Sequence, residues 1–351
     1  PIAVALGALC GDAGAGLAVL HSITDEDVAQ AQKLVDAQGV QVCLSDQSQK
    51  LYIDVLAEAG EHSARTVIAG THTNIIRIEK DGQCISTGDG AEESGAAGGG
   101  AELSLKEIDD FVRSVSSEKL NFLRECIDMN SAISQEGLEH PYGLGIGQSI
   151  YETLPENNSE ENYALAVTCA AADARMGGCT LPVMSSCGSG NQGLTATLPV
   201  IAVARKRGLS EEDTFRALAY SLLVTIHVKQ HLGKLSALCA CSVGASIGTA
   251  CALTYLDGGT LQQIGHCVDN VVADVSGVIC DGAKAGCALK IATGVSSAFR
   301  GAMLAMKNRN ASALDGIVGH DPEASVDNLG NLCNTGMLDT DRVILDMLVC
   351  K

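Results

Sequence analysis

The chain has no tryptophan, and aromatic residues make up only 3% of its 351 residues. Small side chains must therefore do the packing, which disfavours an aromatic-rich β-sandwich and favours helices whose backbones approach closely. Positive charge is scarce as well: 23 Lys and Arg against 42 Asp and Glu leave a net charge of −19. Such a charge repels phosphates and anionic lipid, so nucleic acid and membrane surfaces are not expected as partners. No hydrophobic run reaches the ~20 residues that a spanning helix needs. The most apolar, 194–204, stops at Arg205-Lys206-Arg207. Nothing resembles a signal peptide. These absences suit a cytoplasmic protein that acts on a small molecule, with homo-oligomerisation left open.

What is abundant is glycine, with 39 residues, and cysteine, with 15. An odd number of thiols spread along a long chain is not a secreted disulfide framework and points to a reducing compartment. Cys10, Cys43, Cys126, Cys169 and Cys251 sit among Ala, Leu and Val and are expected to be small buried hydrophobes.

The patterning predicts an α+β fold. A helix capped by Thr24 and stopped at Gly39 precedes four short stretches of strand character, 40–46, 50–58, 64–70 and 73–80. Their close spacing implies an antiparallel meander. A small N-terminal α+β domain is thus expected over 1–85, and a Gly-rich linker over 86–102. A large all-α domain of buried helices follows over 103–351, opening on a capping box between Ser104 and Glu107.

Three joints between the predicted helices could carry chemistry. In "MSSCGSGNQGLTATLPV", Gly188, Gly190 and Gly193 let the backbone turn into a helix and present bare N–H groups, an arrangement that binds anions such as a carboxylate. A glycine-rich joint with no ligand fits this stretch equally well. In "KLSALCACSVGASIG", Cys239 and Cys241 lie two apart, and on a helix they would point to different faces. In "VICDGAKAGCALKIATG", Cys280 and Cys287 lie seven apart, wider than the Cys pairs of zinc ribbons. One thiol from the second joint and two from the third would form a three-thiolate site, which leaves one iron of a cubane cluster open to substrate.

The strings "DARMGGCTLPVMSSCGSGNQGLTATLPV", "LSALCA", "DVSGVICDGAKAGCALK", "GTHTNIIRIE" and "DTDRVILDML" together resemble the L-cysteine desulfidase / serine dehydratase alpha-chain-like family, of UPF0597 type, over nearly the whole chain. The resemblance implies a [4Fe-4S] cluster held by Cys239, Cys280 and Cys287, with Cys187 and Cys241 outside the ligand set. It implies α,β-elimination on a small amino acid: L-cysteine to pyruvate, ammonia and sulfide, or L-serine to pyruvate and ammonia. Expected substrate contacts are His72, Thr73 and Asn74, the joint residues Ser186, Gly188, Ser189, Gly190, Asn191 and Gln192, and Lys284. Family members carry a "GCTEP"-type N-terminal segment whose Cys is the proposed base. Residues 1–9 match a later helix instead, so the base is expected to lie in a segment missing here, with Lys284 and His72 as alternatives within the chain. Cys350 is expected to be incidental. A non-catalytic metal-binding protein using the same thiols, or a regulatory relative, is the competing expectation.

Overall fold

The structure, a computed structural model, describes residues 1–47, 49, 51–88, 102–233 and 236–349. They fall into two compact units, residues up to 88 together with 342–349, and residues 102–341.

The first unit begins with helix α1 (Ile2–Cys10) and a 3-10 turn (Ala13–Ala18). Helix α2 (Asp25–Asp36) follows, where Thr24 and Asp27 form the expected cap as a reciprocal capping box. Four strands then pair in sequence order as an antiparallel meander: β1 (Tyr52–Ala59), β2 (His62–Ala69), β3 (Ile75–Lys80) and β4 (Gln83–Thr87). Residues 40–46 are not a strand, and most of their side chains are exposed. The fourth strand lies instead at Gln83–Thr87, because Asp81 and Gly82 both take positive φ (49° and 76°) and close a two-residue hairpin. A turn of this kind matches the twist of two adjacent strands. The strand covers Ser86 and Thr87, where a linker was expected; residues 89–101 of that linker lie outside the described residues.

The second unit is helical. It comprises α3 (Leu105–Ser114), α4 (Leu123–Glu139), α5 (Ile146–Glu152), α6 (Glu160–Met176), α7 (Gly190–Arg207) and α8 (Glu211–Leu232). After these come α9 (Gly244–Leu256), α10 (Leu261–Val275), α11 (Cys287–Met306) and α12 (Pro322–Asn331). The chain continues through α13 (Leu338–Val349). Ser104 and Glu107 form the expected capping box at α3.

Three helices, α6, α7 and α9, are buried on nearly every face. Glycine permits this closeness. A Cβ on Gly137 of α4 would stand 2.0 Å from the carbonyl oxygen of Ala170, and one on Gly147 of α5 would stand 2.1 Å from the nitrogen of the same residue. Backbone therefore meets backbone where larger residues would force the helices apart. The carboxylate of Asp173, buried in α6, accepts from the N–H groups of Leu144 (3.2 Å) and Gly147 (3.0 Å) and so caps α5 from a neighbouring helix. Cys126, Cys169 and Cys251 are buried as expected, whereas Cys10 is half-buried and Cys43 exposed. Cys43 belongs to the segment that forms no strand, so no sheet covers it.

Candidate thiol site

The site is assembled from the joints before α7, α9 and α11. Residues 237–239 run beside 278–280 as a short antiparallel bridge, Leu238 opposite Ile279. The N–H of Cys239 donates to Val278 O (2.9 Å), and the N–H of Cys280 donates to Ala237 O (2.7 Å). Two chain segments about 40 residues apart in sequence are thereby fixed side by side. Desolvation raises the thiol of Cys280, although the residue keeps exposed surface, and the charge of nearby Cys239 raises it further.

Cys287 is the first residue of α11. Its Sγ accepts from the N–H of Lys284 (3.5 Å) and lies 3.6 Å from the carbonyl oxygen of Gly282, so it is held by the loop that carries Cys280. That loop is locked by charge. Asp281 binds Lys284 Nζ (2.6 Å) and also Lys290, whose Nζ donates to Ile279 O at 2.8 Å. Lys284 and then Lys290 pull the Asp281 carboxyl down to about 2. Lys284, expected at the substrate, thus has its ammonium engaged by Asp281 within its own loop.

Cys241 joins the same group. Helix α9 begins only at Gly244, so Cys239 and Cys241 lie in a turn, and the opposite-face geometry expected for a helical pair does not apply. Their interaction raises the thiol of Cys239 and lowers that of Cys241. Ser189 Oγ, 3.5 Å from Cys241 Sγ, lowers Cys241 further, against burial and the charges of Cys280 and Cys287. Lys229 of α8 is buried near Cys187, Cys241 and Cys280. Burial lowers its ammonium, while the thiol charges oppose that shift. A cation at this depth favours thiolates over thiols.

The joint before α7 supplies the polar wall. Ser186 and Ser189 exchange both backbone hydrogen bonds (3.1 and 2.9 Å) around Cys187 and Gly188, which both take positive φ (48° and 77°). A left-handed cysteine is strained, typically by about 1–3 kcal/mol. Ser189 then caps α7, its Oγ accepting from the N–H of Gln192 (3.3 Å). Arg175, in the last turn of α6, donates to Asn191 Oδ1 (3.1 Å). Gln192 is fully buried, and neither end of its amide has a partner among the described residues.

The second unit therefore brings together Cys239, Cys241, Cys280 and Cys287, with Ser189 and Lys229 beside them. His72, Thr73 and Asn74 belong to the first unit, in the turn between β2 and β3. There the Asn74 side chain donates to Ala69 O (3.0 Å), and His72 and Thr73 are exposed. Cys350 lies outside the described residues. Lys229, Arg175 and Lys290 were missed in the sequence, though a lysine within the apolar run of α8 is a signal that could have been followed.

The donor set is chemically suited to a soft, thiophilic group. Among the described residues, no three or more His, Cys, Asp or Glu converge as a single metal ion would require. A cubane cluster offers each thiolate a separate iron and so needs its ligands spread around it rather than gathered at a point.

Known proteins match this chain over nearly its whole length. The family model for the serine dehydratase alpha chain matches residues 14–346. A UPF0597 protein of Bacteroides fragilis is 40% identical over 358 residues, covering 100% of this chain and 83% of the relative. One from Aeromonas hydrophila subsp. hydrophila is 41% identical over 357 residues, covering 100% and 81%. A third, from Clostridium tetani, is 40% identical over 351 residues, covering 99% and 82%. With its thiol joints inside the matched region, the chain belongs to the serine dehydratase alpha chain family.

Proposed function

We propose that this chain is an iron–sulfur-dependent lyase that catalyses α,β-elimination on a small amino acid. The reaction would take L-cysteine and water to pyruvate, ammonia and sulfide, or L-serine to pyruvate and ammonia with no net use of water. The carrying observation is the Leu238–Ile279 bridge, which sets Cys239 beside Cys280 while the Asp281-locked loop holds Cys287. Cys239, Cys280 and Cys287 would hold a [4Fe-4S] cluster. When bound, such a cluster supplies a Lewis-acidic iron toward the leaving group on Cβ.

The protein's own residues would do the rest. The joint from Ser186 to Gln192 faces the thiol group through Ser189 and would orient the amino acid. Lys229 would offset the negative charge of the thiolates, and the buried helices α6, α7 and α9 would exclude water. The family supports a serine dehydratase-like enzyme; L-cysteine as a substrate rests on the resemblance in sequence. All described cysteines are free thiols, which supports a cytoplasmic setting. Among the described residues, no helix is long and apolar enough to cross a membrane.

The test is anaerobic reconstitution with iron and sulfide, followed by assay of pyruvate from both amino acids. Pyruvate formation that depends on Cys280 supports the proposal. A colourless protein that binds zinc and forms no pyruvate would favour the non-catalytic alternative.

A further inference from the structure

Arg175 is a half-buried arginine in a chain of net charge −19, yet among the described residues it makes no ion pair. Its only hydrogen bond goes to the neutral amide oxygen of Asn191. The nearby acid, Asp173, is committed to the N–H groups of Leu144 and Gly147. The carbonyl end of α6 offsets part of the Arg175 charge, but it leaves the remaining guanidinium donors without acceptors.

Those donors lie at the first turn of α7. The guanidinium rests against Gly190: a Cβ there would stand 2.5 Å from Arg175 Nε and 2.8 Å from its Cζ. Any side chain at 190 would displace it. The N–H groups of Gly190 and Asn191, two buried residues, meet no acceptor among the described residues. Gln192 explains itself at the same turn. It stands where a capping box would bond its side chain to the N–H of Ser189, but that N–H already donates to Ser186 O (2.9 Å). Its fully buried amide is therefore left unpartnered. A guanidinium and two backbone donors at one helix start form an anion site in want of an acceptor, with the buried, unpartnered amide of Gln192 in the same turn. Ser189, the residue just before this turn, touches Cys241.

We infer that Arg175 and the first turn of α7 form the subsite that binds the α-carboxylate of the amino acid. This inference rests on the lyase proposal for the identity of its ligand. It restricts substrates to amino acids with a free carboxylate, so that an amine such as cysteamine, with the same thiol, is excluded.

The test uses L-alanine, which carries the amine and carboxylate but no leaving group, so that binding is read without turnover. Calorimetry compares L-alanine with L-alaninamide on the full chain, on Arg175→Met and on Asn191→Asp. The last substitution keeps the shape of the site and gives Arg175 an internal carboxylate. It suits the positive end of α7 and so guards against loss of folding. Wild type is expected to prefer L-alanine over the amide, and both variants to bind it more weakly by on the order of 10–100-fold. Equal binding of acid and amide, or variants that bind L-alanine like wild type, would overturn the inference even if the chain makes pyruvate from L-cysteine. Arg175-dependent binding in a chain that eliminates nothing from either amino acid would leave the subsite standing and overturn the lyase proposal instead.

Discussion

Two pairs of interacting cysteines among the described residues have opposite chemistry. Cys251 and Cys267 pack Sγ to Sγ at 3.6 Å between α9 and α10, and both are wholly buried. Burial drives the Cys251 thiol well above its ordinary range, which makes it inert. Cys239 and Cys241 are also paired, but in a turn, with Ser189, Cys280 and Lys229 around them. There one thiol is raised and its partner lowered. Closeness of two thiols therefore does not make a site. The helix-packed pair fills space, while the joint pair has the Ser189 hydroxyl and a buried lysine to favour a thiolate against the opposing charges of Cys280 and Cys287.

Exchanging cysteines one at a time should break this comparison most sharply. Cys239→Ser, Cys280→Ser and Cys287→Ser are each expected to abolish iron uptake on anaerobic reconstitution, measured as iron per chain. Cys241→Ser and Cys187→Ser should retain it. Cys251→Ala should also retain it and lower stability by only about 1 kcal/mol in a urea melt. Iron loss on changing Cys251 would erase the distinction between the pairs.

A second test removes the lock rather than a thiol. Asp281→Asn frees Lys284 and Lys290 from their shared carboxylate, so the loop holding Cys280 and Cys287 should loosen. Partners of metal ligands typically contribute about 10–100-fold in affinity, so iron release to a chelator should quicken on that order. An unchanged release rate would assign the loop's shape to its backbone alone.

The scaffold behind the joint gives a smaller effect. A Cβ on Gly193 would stand 2.1 Å from Met184 O, and Gly193→Ala should destabilise the fold by about 1–3 kcal/mol, as overpacking does. A neutral urea midpoint would show that the 184–193 joint yields.

How much of this was legible in the sequence depends on distance along the chain. The caps at Thr24 and Ser104 were readable because each is decided within four residues. The strand expected at 40–46 was not realised, since alternating apolar residues need a neighbouring strand and Asp81-Gly82 gave β3 a different one. Cys239, Cys280 and Cys287 stood out as candidates, yet the Leu238–Ile279 bridge that joins their segments is a tertiary pairing with no local signal. Lys229 and Arg175 were hidden for the same reason: only helix packing decides which charged side chains are turned inward.

The smallest effect concerns pH. The folded Asp281 carboxyl, at about 2, lies below the ordinary ~3.9. Its contribution is complete well above pH 4 and is lost as pH falls through about 2. The stability gap between wild type and Asp281→Asn, about 1 kcal/mol or less for a partly exposed pair, should therefore close in acid melts. A gap that persists at pH 2 would assign it to packing.

The most direct measurement of the central claim is the visible spectrum and iron content of the anaerobically reconstituted chain, taken before and after adding L-cysteine, with pyruvate and sulfide followed in the same sample. The account predicts a brown protein whose spectrum changes with L-cysteine and which releases pyruvate and sulfide in equal amounts, all lost in Cys280→Ser. A wild-type chain that stays colourless and iron-free, or a Cys280→Ser chain that keeps its iron, would contradict it.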